Sequence, residues 1–166
     1  MYPDIVFEEM KEEYLDEVLQ MYSYYILNST ATFHIQVPNR SQMREMVFFD
    51  NEKYKTFVIL DNQQICGYVF ITQYKNREAY DTTAEVSVYL KTELVRKGIG
   101  SIAMNYIENY AKQHGIHVLL ATICGQNEAS IRLCAKNGYN KCAHLKEVGL
   151  KFGQLLDIVV YQKIIS

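Results

Sequence analysis

The chain has 166 residues, of which 49% are hydrophobic and 22% are charged. This length and composition predict one globular domain with a sizeable core, and they exclude an intrinsically disordered chain. The formal net charge is −2, so the composition gives no support for a nucleic-acid-binding or membrane-surface protein.

The sequence also lacks the signals of membrane insertion and of metal binding. No apolar run reaches the ~18 residues of a membrane-spanning helix, and the first residues include acids where a signal peptide carries bases. The four cysteines form no Cys-x-x-Cys pair, and the four histidines lack the spacing of metal ligands. We therefore expect a cytoplasmic protein with reduced, mostly buried thiols and no metal ion.

The N-terminal part of the chain predicts a strand, two helices and a long loop. Asp4 to Glu9 alternates as a short strand, and Glu13 to Leu27 carries apolar residues at helical spacing. Asn28 to Arg40 is polar and interrupted by a proline, so it is a predicted loop. Ser41 is placed to cap a second helix, which is expected to end near Asp50.

The central part predicts three strands. Thr56 to Leu60 and Gln64 to Tyr74 are rich in apolar and β-branched residues, and Asp61-Asn62 between them predicts a turn. Lys75 to Thr83 is a predicted polar loop. Ala84 to Leu90 alternates as a fourth strand of the chain.

The C-terminal part predicts two helices and three strands. Ile99 to His114 has an apolar stripe at helical spacing, His117 to Ile123 is a continuous apolar run typical of a buried strand, and Asn127 to Lys136 predicts a short helix. The last strands are predicted at Tyr139 to Glu147 and Leu155 to Ile164. The element order predicts a mixed α/β domain around one sheet.

The stretch from Leu94 to Ser101, between the fourth strand and the helix, has the features of an anion site. Gly98 and Gly100 let a ligand approach the backbone without meeting a Cβ atom. The helix that begins there leaves its first N–H groups unpaired, and Arg96 and Lys97 add positive charge. Together these features predict a site for phosphate groups.

Gly98-x-Gly100-x-x-Ala103 also fits the relaxed dinucleotide fingerprint, so a nicotinamide-dependent enzyme is an alternative. Three features count against it. The glycines follow the strand by several residues, basic residues crowd the loop, and no acid near the end of His117 to Ile123 is placed to bind a ribose. A strand-to-helix loop without any ligand is the third possibility.

Glu85 is the candidate catalytic base. Along Ala84 to Leu90, Glu85 shares one face of the strand with Ser87 and Tyr89, and apolar residues occupy the other face. A carboxyl group on an apolar strand is expected to have a raised pKa, which suits removal of a proton from an ammonium group near neutral pH. The alternative is an acid that faces solvent on a half-exposed strand.

The element order, with the Gly98 and Gly100 loop after the fourth strand, resembles the GNAT superfamily of N-acetyltransferases. There the signature Q/R-x-x-G-x-G/A holds the pyrophosphate of acetyl-CoA. Val95 departs from its first position, and Arg96 and Lys97 are expected to supply the missing cation. The later signature, N-x-x-S-x-x-L followed by G-F/Y, is matched by Asn127, Ser130, Leu133 and Gly138-Tyr139. The resemblance implies a mostly antiparallel sheet of about seven strands flanked by about four helices.

Further motifs resemble the phosphinothricin and methionine-sulfoximine N-acetyltransferases within that superfamily. The matching segments are Thr30 to Phe33, Ala79-Tyr80, Thr83, Glu85 to Tyr89 and, above all, Glu147 to Asp157 with its Val-Gly-x-Lys-Phe-Gly stretch. The resemblance implies an enzyme that moves the acetyl group of acetyl-CoA to the primary amine of an amino acid or an amino-acid analogue. It also implies a homodimer.

The resemblance divides the site residues by role. Glu85 is the implied base, acting directly or through water. The implied cofactor contacts are Val88, Tyr89, Leu90, Arg96, Lys97, Gly98, Ile99, Gly100, Ser101, Asn127 and Ser130. The implied substrate contacts are Phe33, Arg77, Tyr80, Asp81 and Thr83.

Two departures leave questions open. Cys134 stands where the family places a Tyr or His general acid, and a buried thiol is more often inert packing. Asp81 stands where the subgroup commonly has Arg, so we expect anionic amines such as phosphinothricin to be poor substrates. With Val95, the change at Cys134 keeps a second function open, a non-catalytic acyl-CoA-binding or regulatory module on the same fold.

Overall fold

The structure is a computed structural model that describes residues 4–166. Its strands are β1 (Ile5–Glu9), β2 (Lys55–Asp61), β3 (Gln64–Gln73), β4 (Thr83–Leu90), β5 (Val118–Cys124), β6 (Asn140–Lys151) and β7 (Gln154–Ile164). Its α-helices are α1 (Leu15–Asn28), α2 (Arg40–Val47), α3 (Ile99–Gln113) and α4 (Glu128–Lys136). No helix within these residues is long and apolar enough to cross a membrane.

All seven strands lie in one sheet with the order β1-β2-β3-β4-β5-β7-β6. Neighbouring strands are antiparallel except for β4 and β5, which are parallel. This architecture confirms the predicted mixed, mostly antiparallel sheet of seven strands with four helices.

The two faces of the sheet carry separate hydrophobic clusters. One cluster packs under α3 and includes Ala84 and Val86 of β4, and the other packs under α1 and α2 and reaches Tyr89. The alternation predicted for β4 is therefore confirmed, because its even-numbered and odd-numbered residues enter different clusters.

Four predicted boundaries were wrong, and two of them lie at the ends of α2. Asn39, not Ser41, caps α2: its side chain accepts a hydrogen bond from the Gln42 N–H at 2.8 Å, and the Gln42 side chain accepts one from the Asn39 N–H at 2.8 Å. This reciprocal pair starts the helix two residues earlier. The helix also ends at Val47, before Asp50, because Phe48 has an extended backbone.

The other boundary errors concern a turn and a bulge. The turn between β2 and β3 is centred on Asn62 and Gln63, both with positive φ, and Asp61 still belongs to β2. The strand β6 does not end at Glu147 but continues to Lys151 through a bulge. Glu147 itself has a φ of 56°, which interrupts the alternation that marks a strand in the sequence.

The remaining differences are small. A short 3₁₀ turn at Glu12–Tyr14 precedes α1, so the α-helix begins at Leu15 and not at Glu13. A second 3₁₀ turn, Glu78–Tyr80, lies inside the predicted loop between β3 and β4. These turns lack a long apolar period, so no pattern in the sequence indicated them.

The parallel pair β4 and β5 separates after three residues. Thr83, Ala84 and Glu85 pair with Val118, Leu119 and Leu120, and no later pair joins the two strands among residues 4–166. From Val86 to Leu90, β4 pairs with a neighbouring strand only on the side of β3. The sheet therefore opens beyond Glu85 and leaves one edge of β4 free for another partner.

Candidate active site

A cavity of about 500 Å³ fills the opening between β4 and β5. Its walls are β4 from Val86 to Leu90, β5 from Ala121 to Ile123, the loop before α3 with that helix's first turn, and one side of α4. Tyr25 and Ala31 close it on the side of α1. The separation of β4 and β5 thus produces a space next to a free strand edge.

The loop before α3 has the backbone of an anion-binding turn. Gly98 has a φ of 84° and Arg96 a φ of 71°, both in the left-handed region. Nothing lies within 4 Å of the Cβ position at Gly98, so glycine is required there by backbone conformation and not by crowding. The first N–H groups of α3 follow directly, and Gly100 and Ser101 of this first turn line the cavity.

At position 100, close packing between two helices is what favours glycine. A Cβ atom at this position would lie 3.0 Å from Leu133 Cδ1, so the missing side chain lets α4 pack closely against the first turn of α3. The Asn137 side-chain amide reinforces the contact by donating to Ser101 Oγ at 3.0 Å. The glycine pair therefore serves one backbone turn and one helix–helix contact.

Most of the predicted cofactor residues meet in this cavity. Those that line it are Val88, Tyr89, Leu90, Arg96, Gly98, Gly100, Ser101, Asn127 and Ser130. Lys97 is exposed beside the cavity and does not line it, and the Ile99 side chain is buried in the core at 2% exposure. The side chains of Lys97 and Ile99 therefore do not line the cavity.

Glu85 lies at the point where β4 and β5 part. It is half-buried, pairs with Leu120 of β5 and stands across from Thr72 of β3. Burial raises the pKa of its carboxyl group above the ordinary value. Within residues 4–166 it makes no side-chain hydrogen bond or ion pair that would oppose this shift, so burial is the main influence on the pKa of the carboxyl group.

The helix α4 contributes a capping residue and a buried thiol. Asn127 Oδ1 accepts from the Ser130 N–H at 3.2 Å and caps the helix, which leaves the Asn127 amide hydrogens for a ligand. Cys134 lines the cavity at 4% exposure, and burial raises the pKa of its thiol to about 12. An acid this weak does not readily protonate a departing thiolate, whose own pKa is about 8.5.

The predicted substrate residues do not line the cavity. Arg77, Tyr80 and Asp81 lie on the connection between β3 and β4 and not in the cavity wall, and Thr83 begins β4. The Tyr80 ring packs edge-on against Tyr74, and the exposed Asp81 accepts a hydrogen bond at its backbone oxygen from Lys53 Nζ at 3.1 Å. Their role as substrate contacts stays a prediction.

Phe33 belongs to a separate structure, which we term the loop–hairpin contact. It joins Thr32 and Phe33, after α1, to Gly149 and Lys151 of β6. The Phe33 ring lies so close to Gly149 that a Cβ there would be 2.5 Å from the ring. Lys151, only 4% exposed, donates to the Thr32 carbonyl oxygen at 2.7 Å.

Sequence reasoning missed several residues that the structure brings to the cavity. Tyr25 and Ala31 come from α1 and the segment after it, and the Tyr25 hydroxyl donates to the Leu90 carbonyl oxygen. Arg132 and Lys136 of α4 also line the cavity. The sequence contained a signal for Arg132 and Lys136, because two cations at i and i+4 after Ser130 share one face of a helix.

The described cysteines agree with the expectation of reduced thiols. All four are unpaired, and Cys66, Cys124 and Cys134 are buried whereas Cys142 is exposed. Residues 4–166 also contain no group of three or more His, Cys, Asp or Glu side chains arranged to hold a metal ion.

Comparison with known proteins agrees with this geometry. A model of the acetyltransferase (GNAT) family matches residues 12–139. Phosphinothricin N-acetyltransferase of Streptomyces coelicolor is 30% identical over 156 residues, which cover 92% of this chain and 91% of the relative. The L-methionine sulfoximine/L-methionine sulfone acetyltransferase of Salmonella typhimurium is 27% identical over 151 residues, covering 87% of this chain and 85% of the relative.

Solved structures share the fold as well. One is the crystal structure of a GNAT superfamily phosphinothricin acetyltransferase from Sinorhizobium meliloti in complex with acetyl-CoA. It superposes with a TM-score of 0.92 at 26% sequence identity, over 98% of this chain and 89% of that chain.

Proposed function

The chain belongs to the acetyltransferase (GNAT) family and is an acyltransferase, and we propose that this single-domain protein transfers the acetyl group of acetyl-CoA directly to the primary amine of a small molecule. The acceptor is an amino acid or an amino-acid analogue, the class to which phosphinothricin and methionine sulfoximine belong. The observation that carries the proposal is that half-buried Glu85 forms the last pair between β4 and β5, next to Val86, the first residue of β4 that lines the cavity. The glycine-containing basic loop lines the same cavity.

The groups around the cavity suit the chemistry of acetyl-CoA. The loop with Arg96 and Gly98, together with the first N–H groups of α3, would bind the pyrophosphate. The free edge of β4 from Val86 to Tyr89 offers N–H and C=O groups to the amides of the pantetheine arm, as an added strand would pair. The Asn127 amide hydrogens would bind the same arm from the side of α4.

The reaction needs a neutral amine and a stabilised transition state. Glu85 would take the proton from the acceptor ammonium, directly or through one water, and burial raises the pKa of its carboxyl group, which makes the carboxylate a stronger base. Backbone N–H groups on the free edge of β4 would stabilise the negative charge that develops on the acetyl oxygen. No covalent enzyme intermediate is required, since the amine attacks the thioester itself.

Departure of the coenzyme sulfur does not depend on Cys134. Its thiol has a pKa of about 12, far above that of the departing group. We therefore assign Cys134 to the cavity wall, and the sulfur leaves as a thiolate that takes its proton from solvent.

The test is a panel of amino acids, amino-acid analogues and polyamines with acetyl-CoA, followed by thiol release. We expect release with at least one amino-acid-like amine. Binding of CoA in calorimetry without release from any amine would favour the alternative, a non-catalytic acyl-CoA-binding module. Binding of NAD(H) in place of CoA would contradict both.

We also propose that the protein is a cytoplasmic homodimer. The strand β6 is the outermost strand of the sheet, and exposed apolar side chains cluster at its far end with the following turn and β7: Leu150 at 63%, Phe152 at 59% and Leu155 at 58% exposure. An unpaired strand edge beside such side chains favours association with a second copy. Light scattering should give twice the chain mass, and a monomer at all protein concentrations would contradict the dimer.

A further inference from the structure

The charged side chains described in the cavity wall are all positive. Among the described residues that line the cavity, Arg96, Arg132 and Lys136 are cationic and none is acidic. The chain as a whole has a net charge of −2. A wall with three cations and no carboxylate, in a slightly acidic protein, indicates a ligand with several negative charges.

These cations lie in two groups that flank the first turn of α3. Arg96 belongs to the loop before the helix, whereas Arg132 and Lys136 lie one helical turn apart on α4. Their sequence neighbours fix the distance between the two helices: Leu133 contacts the backbone at Gly100, and Asn137 bonds to Ser101. The α4 pair therefore stands beside the loop and forms a second cationic group at the same mouth.

Arg132 and Lys136, the α4 pair, make few polar contacts with the other described residues of the protein. Lys136 makes no ion pair or side-chain hydrogen bond within residues 4–166. Arg132 Nη2 lies 2.8 Å from Glu128 Oε2, but both side chains are more than 60% exposed, and such surface pairs contribute little. Both cations are therefore available to a ligand at the rim of the cavity.

Coenzyme A carries three phosphate groups, and the loop before α3 accounts for two of them. The pyrophosphate suits the left-handed turn and the first N–H groups of α3. The third phosphate is a monoester on the ribose, separated from the pyrophosphate by the sugar, with a charge of about −2 near neutral pH. It needs cations that lie beside the pyrophosphate site and not within it, which is the position of Arg132 and Lys136.

We propose that Arg132 and Lys136 form a subsite for the ribose 3′-phosphate, so that the protein distinguishes CoA from 3′-dephospho-CoA. This inference rests on the proposed function, because it requires CoA to bind in the cavity between β4 and β5. The Arg132 guanidinium offers paired N–H donors to two phosphate oxygens, and the Lys136 ammonium adds a point charge one turn away.

The experiment measures two ligands against three proteins by calorimetry. The ligands are CoA and 3′-dephospho-CoA, and the proteins are the wild type, the double variant Arg132→Gln/Lys136→Gln and a control, Lys112→Gln/Lys141→Gln. Lys112 and Lys141 are exposed and lie outside the cavity, so the control removes the same net charge. Equal melting temperatures establish that all three proteins are folded.

We expect the wild type and the control to bind CoA about tenfold or more tightly than 3′-dephospho-CoA, the size of one charge-assisted contact. The Arg132→Gln/Lys136→Gln variant should lose most of that preference while its affinity for 3′-dephospho-CoA changes by less than about threefold. Equal binding of both ligands by the wild type would overturn the subsite. A parallel loss for both ligands in the variant would also overturn it, because the cations would then serve the pyrophosphate.

The proposed function fails in a different way. Absence of binding for both ligands to the wild type, together with absence of thiol release from acetyl-CoA, would contradict the acetyltransferase assignment and the subsite together. Thiol release with equal affinities for the two ligands would contradict the subsite alone.

Discussion

At the proposed coenzyme end of the site, nine of the eleven residues predicted from the sequence line one cavity, whereas at the proposed acceptor end none of the five does. The coenzyme end consists of β4, the loop before α3 and α4, which converge on a gap in the sheet. The acceptor end is divided between the β3–β4 connection, with Arg77 and Asp81, and the loop–hairpin contact at Phe33.

The difference lies in what each ligand requires of the protein. A long polyanionic coenzyme is bound by backbone groups and a helix start, which are fixed once the sheet has formed. A small amine is bound by side chains from distant segments, and their arrangement depends on packing between those segments. The coenzyme end should therefore tolerate changes that alter the acceptor end, and the reverse should hold as well.

The largest expected effect comes from Glu85, which lies between the two ends. Glu85→Gln keeps the shape of the side chain but removes the base, so the rate should fall by ~10²–10⁴-fold while the affinity for CoA is nearly unchanged. Glu45→Gln, on the exposed side of α2, is a matched control and should leave both quantities alone.

The pH–rate profile decides whether Glu85 is the base. Because burial raises the pKa of this carboxyl group, the wild-type rate should rise with pH over a range above the ordinary carboxyl value, as the base form accumulates. That acidic limb should be absent in Glu85→Gln. A variant that keeps both the limb and the rate would show that another group or solvent removes the proton.

The next effect tests whether the dispersed acceptor end acts as one site. Asp81 should repel an anionic substrate, so wild-type kcat/KM for phosphinothricin should be low. Asp81→Arg should raise it by ~10²-fold, since a repulsive charge is replaced by a bidentate partner. Asp4→Arg makes the same charge change beside β1 and serves as the control. Efficient turnover by the wild type, or no gain in Asp81→Arg, would remove position 81 from substrate selection.

Most residues predicted for the coenzyme end meet in one cavity because the features that predicted them are local. The glycine turn, the helix start and the alternation of β4 each occupy fewer than ten successive residues, and each has a direct conformational meaning. The same reliance on neighbouring residues explains why Lys97 was included. Lys97 is adjacent to Arg96 in sequence, but it is exposed and does not line the cavity.

The acceptor end could not be predicted in the same way because its contacts are long-range. Lys151 and Thr32 are 119 residues apart, and the bond between them depends on the continuation of β6 past the bulge at Glu147. The motif around Lys151 indicated a family, yet no pattern in the sequence pairs a hairpin with the segment after α1. Tyr25 was missed for the same reason, as its partner Leu90 lies 65 residues away.

A smaller effect separates the two cations of the loop before α3. The double variant Arg96→Glu/Lys97→Glu should weaken CoA binding by at least tenfold, because a charge-assisted contact is worth ~1.5–3 kcal/mol. The structure sharpens this expectation: Arg96 lines the cavity and Lys97 does not, so Arg96→Glu alone should account for most of the loss. Calorimetry on the two single variants is the measurement. Unchanged affinity in the double variant would refute the placement of the coenzyme phosphates.

The smallest effect concerns the loop–hairpin contact and isolates the acceptor end. Gly149→Ala would place a Cβ atom 2.5 Å from the Phe33 ring, so the ring must move. Crowding of this kind costs about 1 kcal/mol or somewhat more, which corresponds to a fall in melting temperature of ~2–4 °C for a chain of this size. The KM for the amine should rise several-fold while the Kd for CoA stays within twofold, because the coenzyme end shares none of these atoms.

Phe33→Leu supplies the compensating change: a smaller side chain makes room for the new methyl group, so Gly149→Ala should cost less in that background. Equal losses in both backgrounds would show that the two segments do not act through this contact, and a parallel loss of CoA affinity would show that the two ends of the site are not independent.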